Sequence, residues 1–370
     1  MRLKRALAWI AIAIPVAALL ALLVGYLRSD NDCAATLAAT PSQPMQAILR
    51  CDYGPPEVLK LAAIEKPVPG DEEILVRVRA AAVNPLDWHE MRGTPYVMRL
   101  GSGLRKPGDL RLGVDYAGTV EAVGAKVTRF KPGDAVFGGR SGALAQYLVA
   151  RADRAVAIKP PNVSFEQAGA VGIAATTALQ GLRDAGRLQA GQKVLINGAS
   201  GGVGTYAVQI AKAMGAEVTG VCSTRNVELV RSLGADHVVD YTQQDYTAGD
   251  QRYDVILDNV GNRGLLENRR VLQPEGRYVL IGGGGPDAGN WIGPLAKPLL
   301  ALLLSPFVSQ HFGLHLATLT SADMSVLASM MQAGAVSPVI DRRYPLAETA
   351  AAIRYLEEGR ARGKVVVTVD

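Results

Sequence analysis

Residues 193–218 read KVLINGASGGVGTYAVQIAKAMGAEV. The centre of this stretch places four glycines in the seven residues 198–204, after a short apolar run and before a pattern of helical period. A strand, a glycine-rich turn and a helix in that order give glycine spacing a physical meaning. Gly198, Gly201 and Gly204 stand three apart. The first suits a tight turn, the second lets a pyrophosphate approach the backbone, and the third lets helix and strand pack closely. Unpaired N–H groups and the positive helix end favour an anion there.

Downstream, strands and helices alternate. EVTGVCS, HVVDY, YDVILDNV and RYVLIGGG read as strands, and TYAVQIAKAMG and NVELVRSLG as helices. This alternation predicts a parallel sheet covered on both faces, a doubly wound Rossmann domain over 164–339 that opens with the helical SFEQAGAVGIAATTALQGLRDAG. An acid at the end of the second strand would hold the ribose 2′-OH of NAD. Here that strand ends in Ser223-Thr224-Arg225-Asn226, and Glu217 lies at its opposite end. Ser223 and Arg225 suit a 2′-phosphate, which favours NADPH over NADH.

Upstream, 45–163 reads as β-rich. EILVRVRAAAVN alternates, and DYAGTVEAVGAKVTRFKPGDAVFG is broken by turn residues. GKVVVTVD near the end reads as a strand that rejoins this domain through 340–370. Before it, Ala6–Leu27 carries no charge and follows Arg2, Lys4 and Arg5. That run would span about 30 Å as a helix. The expectation is a membrane anchor over 1–28 and a linker over 29–44, hence a membrane localisation, with a cleaved signal as the alternative. The side of the membrane stays open: the charge pattern places the large domain outside, whereas a soluble dinucleotide is a cytoplasmic supply.

A chain of 370 residues, about half apolar, has room for two cored domains. Its net charge of +5 forms no long basic stripe and aromatics are few, which argues against nucleic-acid binding. Cys33, Cys51 and Cys222 are scattered, with no CxxC and no metal-ligand spacing. The expectation is isolated thiols, no disulfide framework and no metal.

VRAAAVNPLDW, GVDYAGTVEAVG, FKPGDAVFG, AGAVGIAATTALQGL, VLINGASGGVGTYAVQIAK, CSTRNVELVRSLGADHVVDY, DVILDNVG and ARGKVVV occur in that order. Together, from about Met45 to Asp370, they resemble the medium-chain dehydrogenase/reductase superfamily, specifically its zinc-independent quinone oxidoreductase branch and its reticulon-4-interacting-protein-like reductases. The resemblance implies a GroES-like β-barrel catalytic domain beside the Rossmann domain, with the cofactor between them. Ser200, Gly202 and Val203 would cradle the pyrophosphate. Ser223 and Arg225 would hold the 2′-phosphate, and Tyr241 would contact the adenosine end. Asn259, Gly261 and Gly282 would border the nicotinamide.

In the zinc alcohol dehydrogenases a Cys ligand falls near Asn84 and a His-Glu pair near Val114-Asp115, and the lobe with four structural cysteines is missing here. Hydride would therefore pass without a metal from NADPH to a small hydrophobic acceptor, a quinone or an α,β-unsaturated carbonyl. Asn84 would hydrogen-bond the substrate or the nicotinamide ribose, and Tyr96 would donate a proton or a hydrogen bond. Lys364 would face the cleft from the start of the tail. The plain alternatives are a loop brace for Asp87, an exposed turn for Tyr96 and a surface charge for Lys364; His89 and Glu90 read as solvated. WIGPLAKPLLALLLSPFVSQHFG, Trp291–Gly313, is apolar but broken by Pro294, Pro298 and Pro306. It would roof a substrate pocket or dip into a membrane surface, with core or homodimer packing as the alternative. A membrane-tethered NADPH-binding assembly or regulatory protein is the competing function.

Overall fold

Strand β1 (Pro44–Arg50) pairs antiparallel with β2 (Leu59–Glu65) as a ribbon. In the computed structural model, which describes residues 19–282 and 308–369 and positions 291, 293, 296, 297, 300 and 301, two larger sheets follow. The first collects β3 (Glu73–Val83), β4 (Asp115–Val123), β5 (Ala135–Gly139), β6 (Tyr147–Arg151) and β7 (Val156–Ile158). The second has β8 (Lys193–Asn197), β9 (Glu217–Cys222), β10 (His237–Asp240), β11 (Tyr253–Asp258), β12 (Leu272–Leu280) and β13 (His311–Leu314). The chain then returns to the first sheet with β14 (Ile340–Pro345) and β15 (Lys364–Thr368).

The second sheet runs β10-β9-β8-β11-β12-β13, and all its pairs are parallel. Val194, Leu195 and Ile196 of β8 are fully buried, as expected of a strand covered on both faces. The strand order reverses between β8 and β11, and the crevice outside their carboxyl ends is where such sheets bind ligands. The first sheet runs β14-β15-β3-β4-β5-β7, with β6 paired to β3. Along β3 only Arg77 and Arg79 are exposed; Ala80–Val83 is buried throughout.

The helices that matter for the site are α1 (Cys33–Ala38), α2 (Pro85–Arg92), α3 (Gly172–Gln180), α4 (Gly202–Ala213), α5 (Ser321–Gln332) and α6 (Thr349–Glu357). Helix α1 lies inside the stretch expected to be a linker. Helices α3, α4 and α5 contribute to the large core of the parallel-sheet half, through residues such as Ala175, Tyr206 and Leu327.

Two expectations are corrected. Residues 1–18 of the expected membrane anchor lie outside the described residues. Among the described residues no helix is long and apolar enough to cross a membrane, and the end of the expected anchor is joined to the protein instead. Residues 19–27 are helical. Leu104 N donates to Gly25 O at 2.9 Å, Arg28 Nη1 to Gly101 O at 2.6 Å, and Arg105 N to Ser29 Oγ at 3.0 Å. Leu19, Leu20, Leu23 and Leu27 stay exposed on its outer side. The membrane-spanning assignment and the membrane localisation are therefore set aside.

The cysteines are the second correction. Cys33 and Cys51 form a disulfide with Cα atoms 5.5 Å apart, while Cys222 is buried and free. Spacing motifs report metal and redox sites, whereas a disulfide needs only two facing Cβ atoms. The fold-back of the segment around α1 brings them together.

Candidate active site

The turn after β8 is set by backbone geometry. Gly198 sits at φ +77°, a left-handed value that favours glycine, and a Cβ there would come within 2.8 Å of Val260 Cγ2. The N–H groups of Gly198 and Ala199 both donate to Val221 O of β9, at 3.2 and 3.0 Å. Gly201 is the N-cap of α4 and Gly202 its first residue. A Cβ at Gly204 would stand closer than 3.0 Å to Gly198 O and Ala199 Cα, so the third glycine is what lets α4 lie on the strand. Val203 packs half-buried against the core below. By helix geometry the first-turn N–H groups of α4 have no intrahelical partner, and they suit a phosphate.

Ser223 and Arg225 follow β9. Asn226, 5 % exposed, ties this end to the turn: its Nδ2 donates to Ser200 Oγ at 3.0 Å and to Ser223 Oγ at 3.2 Å. Its Oδ1 is buried with no hydrogen-bond partner. The sequence offers little to single out Asn226, because its role depends on two hydroxyls from different loops. Arg225 is exposed, and its Nη2 donates to Arg360 O at 2.6 Å, in the loop before β15. Tyr241 is exposed just beyond β10, and its N–H donates to Cys222 O at 3.0 Å, beside the end of β9.

Across the switch point, Asn259 follows β11. Its N and Nδ2 donate to Asn197 O at 3.2 and 2.9 Å, and its Oδ1 is buried without a partner. The fully buried Asp258 braces this loop. It accepts from Tyr278 Oη at 2.6 Å, Asn197 Nδ2 at 2.8 Å, Val260 N at 3.0 Å and Gly261 N at 2.8 Å. Burial, reinforced by the Asp258 charge, holds the Tyr278 phenol well above its ordinary pKa, so it stays a donor. Gly282 lies alongside: a Cβ there would be 3.1 Å from Asn259 O. Lys297 Nζ donates to Gly261 O and, at 2.8 Å, to Arg263 O, which adds a cation no sequence pattern marks.

Three strand ends meet opposite the glycine turn. Val365 of β15 pairs with Val83 of β3, and Asp115 of β4 with Ala82. The residues at those ends, Lys364, Asn84 and Asp115, are therefore neighbours. Lys364 Nζ donates to Asn84 Oδ1 and, at 3.0 Å, to Asp115 Oδ2, and Asn84 Nδ2 donates to the same Oδ2 at 3.0 Å. Asp115 Oδ1 accepts from Ile173 N at 2.6 Å. Lys364 is 2 % exposed, which rules out a surface charge.

Asp87 is buried in the first turn of α2. Its Oδ2 accepts from Asn84 N at 2.6 Å and its Oδ1 has no hydrogen-bond partner. Burial, with Glu90 nearby, pushes its pKa up to about 7. His89 and Glu90 are not solvated as expected. Both are partly buried, His89 Nδ1 lies 2.6 Å from Thr94 O and Glu90 faces Arg50 at 3.6 Å. Burial lowers the His89 pKa and raises that of Glu90.

Tyr96 is not joined to this cluster by any hydrogen bond. Its ring meets Trp291 edge-on at 5.5 Å, and the Arg99 guanidinium lies over it at 4.7 Å and over Tyr53 at 4.4 Å. Residues 292, 294, 295, 298, 299 and 302–307 of Trp291–Gly313 lie outside the described residues. Of what is described, Trp291 and Lys297 touch Tyr96 on one side and the Gly261 loop on the other.

Comparison with known proteins places these features. Residues 70–161 match the model described as an alcohol dehydrogenase GroES-like domain, and residues 233–367 the one described as a zinc-binding dehydrogenase. The chain is 34 % identical over 347 residues to a quinone oxidoreductase of Mus musculus, covering 89 % of this chain and 99 % of that one. It is 32 % identical over 349 residues to a 2-methylene-furan-3-one reductase of Solanum lycopersicum, covering 90 % and 81 %. A solved quinone oxidoreductase from Coxiella burnetii superposes with TM-score 0.77 at 28 % identity, covering 89 % and 100 %.

The zinc in one of those descriptions does not suit the residues present. Where the resemblance sets metal ligands, Asn84 and Asp115 are already bridged by an ammonium. Among the described residues no group of three His, Cys, Asp or Glu converges to hold a metal. A lysine ammonium is donor-only and positively charged, so it repels the cation that a zinc site requires.

Proposed function

We propose that this chain delivers the hydride chemistry of its family to a quinone or an α,β-unsaturated carbonyl: it belongs to the quinone oxidoreductase family of the medium-chain dehydrogenase/reductase superfamily, and it is an oxidoreductase that uses a nicotinamide cofactor. The observation that carries the reading is the crevice at the switch point. There the glycine turn and the Asn259 loop lie side by side, joined through Asn197. The nicotinamide supplies the hydride when bound.

The chain's own residues do the rest. Gly198, Ser200, Gly201, Gly202, Val203 and Gly204 hold the pyrophosphate through α4's first-turn N–H groups. Ser223 and Arg225 take the 2′-phosphate and Tyr241 the adenosine end, which makes NADPH the preferred donor. Asn259, whose Oδ1 is buried with no partner, would accept a hydrogen bond from the carboxamide, with Gly261 and Gly282 bordering it. Asn84 and Lys364 would hold the nicotinamide ribose. Tyr96, against Trp291, offers its phenolic O–H to the acceptor oxygen, because reduction of a carbonyl needs a proton as well as a hydride.

The test is oxidation of NADPH and of NADH against a panel of quinones and enones. Faster turnover with NADPH and at least one acceptor class supports the reading. Preference for NADH, or no turnover with any acceptor, overturns it.

A further inference from the structure

Lys364 is an unusual residue to bury. An ammonium and a carboxylate removed from water stabilise a fold poorly, and an apolar pair of similar volume often serves as well or better. The Lys364–Asp115 pair, 2 % and 0 % exposed, therefore calls for a role other than stability.

Its position supplies one. Gly363 N donates to Ser200 O at 2.9 Å, inside the glycine turn. Lys364 Cδ lies 3.4 Å from where a Cβ of Gly202 would be. The stem of Lys364 thus runs along the proposed pyrophosphate seat, and its head ends on Asn84 and Asp115 in the other half of the molecule. Asp115 closes the circuit by accepting from Ile173 N, in the first turn of α3.

The charges also decide which way the Asn84 amide points. Lys364 can only donate, so it faces Oδ1. The Asp115 carboxylate can only accept, so it faces Nδ2. Each charge disfavours the turned-over amide, and the two act together. One N–H of the ammonium and one lone pair of Asn84 Oδ1 remain without a partner among the described residues.

We propose that Lys364 is a positioning residue that holds the cofactor turn and the Asn84 amide in one frame, so that cofactor binding and acceptor reduction depend on the same buried ammonium. This rests on the proposed NADPH-dependent reduction and deepens it.

Two variants test it. Lys364→Met leaves Asp115 buried and unpaired, and its folding suffers. The double variant Lys364→Met/Asp115→Asn removes both charges and should melt within a few degrees of wild type. In the double variant, kcat should fall at least about tenfold with the acceptor KM within about twofold. The rise in melting temperature caused by NADPH should shrink. Adding Asn84→Ala should cost little more, because residues acting as one unit are not additive.

A folded double variant with wild-type kcat and a wild-type NADPH shift overturns the proposal alone, as does a full and independent loss from Asn84→Ala. A wild-type protein that shows neither an NADPH shift nor turnover overturns the cofactor reading, and this proposal with it.

Discussion

The two walls of the crevice are held together by different means. On the wall proposed for the cofactor, the turn of residues 198–204 and the Asn259 loop are fixed by backbone hydrogen bonds, by the left-handed glycines Gly198 and Gly261 and by Gly204, which has no room for a Cβ. On the wall proposed for the acceptor, residues 93–105 are held by contacts, side-chain and backbone, from far along the chain. Arg99 lies between the Tyr53 and Tyr96 rings, Tyr96 meets Trp291, and Ser29 takes Arg105 N. The Cys33–Cys51 disulfide pins the segment that carries Ser29 two residues from Tyr53. A wall built from backbone rules tolerates few residue types and leaves a mark in sequence. A wall built from distant pairs admits many solutions and leaves almost none.

The sharpest way to break this comparison is on the cofactor wall. Gly204→Ala forces a Cβ into Gly198 O and Ala199 Cα, and it should destabilise by about 3 kcal/mol or more and abolish the NADPH-induced rise in melting temperature. Gly201→Ala meets its nearest neighbour, Gly198 O, only at 3.5 Å, at an extended N-cap. It should cost about 1 kcal/mol. Equal losses in thermal melts of the two variants would mean that the third glycine is not special.

On the acceptor wall the corresponding change is at the disulfide. Cys33→Ser should lower stability by about 3 kcal/mol, the scale set by closing a loop of 18 residues. Hydrogen–deuterium exchange should rise in 19–33 and in 99–108, the segments it holds together, and not in 198–204. Unchanged exchange in 99–108 would show that the acceptor wall stands without its strap.

What was legible follows the same division. The parallel sheet and the positions of Gly198, Ser200, Gly204 and Asn259 follow from alternation, glycine spacing and the resemblance, because these depend on local backbone requirements. Asn226 and Lys297 were not legible, since each matters through contacts with loops distant in sequence. Lys364 was singled out in the sequence, but its burial was not legible there. Its burial comes from the register of β15 on β3, which no local pattern encodes. The N-terminal run misled because apolar length alone does not require a bilayer, and its described end is bonded to residues 101–105 instead; the cysteines misled because pairing is set by folding back rather than by spacing.

Arg225 lies between the two kinds of wall: it follows β9, yet its guanidinium reaches the Arg360 carbonyl. Arg225→Ala should weaken NADPH by about 1.5–3 kcal/mol, roughly 10- to 150-fold, and leave NADH nearly unchanged. Titration of both cofactors at one salt concentration reads this directly. Equal weakening of the two would assign Arg225 to holding the loop of residues 358–363 rather than a phosphate.

The effect set most directly by pH is expected at Asp87, where α2 begins beside Asn84. Burial raises its folded pKa from 3.8 to about 7. Between those values the folded state binds the proton more tightly than the unfolded one, so stability is lost as pH rises from about 4 to about 7 and stays reduced above that. Asp87→Asn carries no such charge. An amide at that position still accepts from Asn84 N. The gain over wild type should be near zero at about pH 4, grow as pH rises to about 7 and level off above that at about 4 kcal/mol. Thermal melts of both proteins across that range give the difference, in which other titrating groups cancel. A gain that is flat with pH would place the Asp87 proton elsewhere, and the buried Oδ1 without a partner would then need a donor from the acceptor wall.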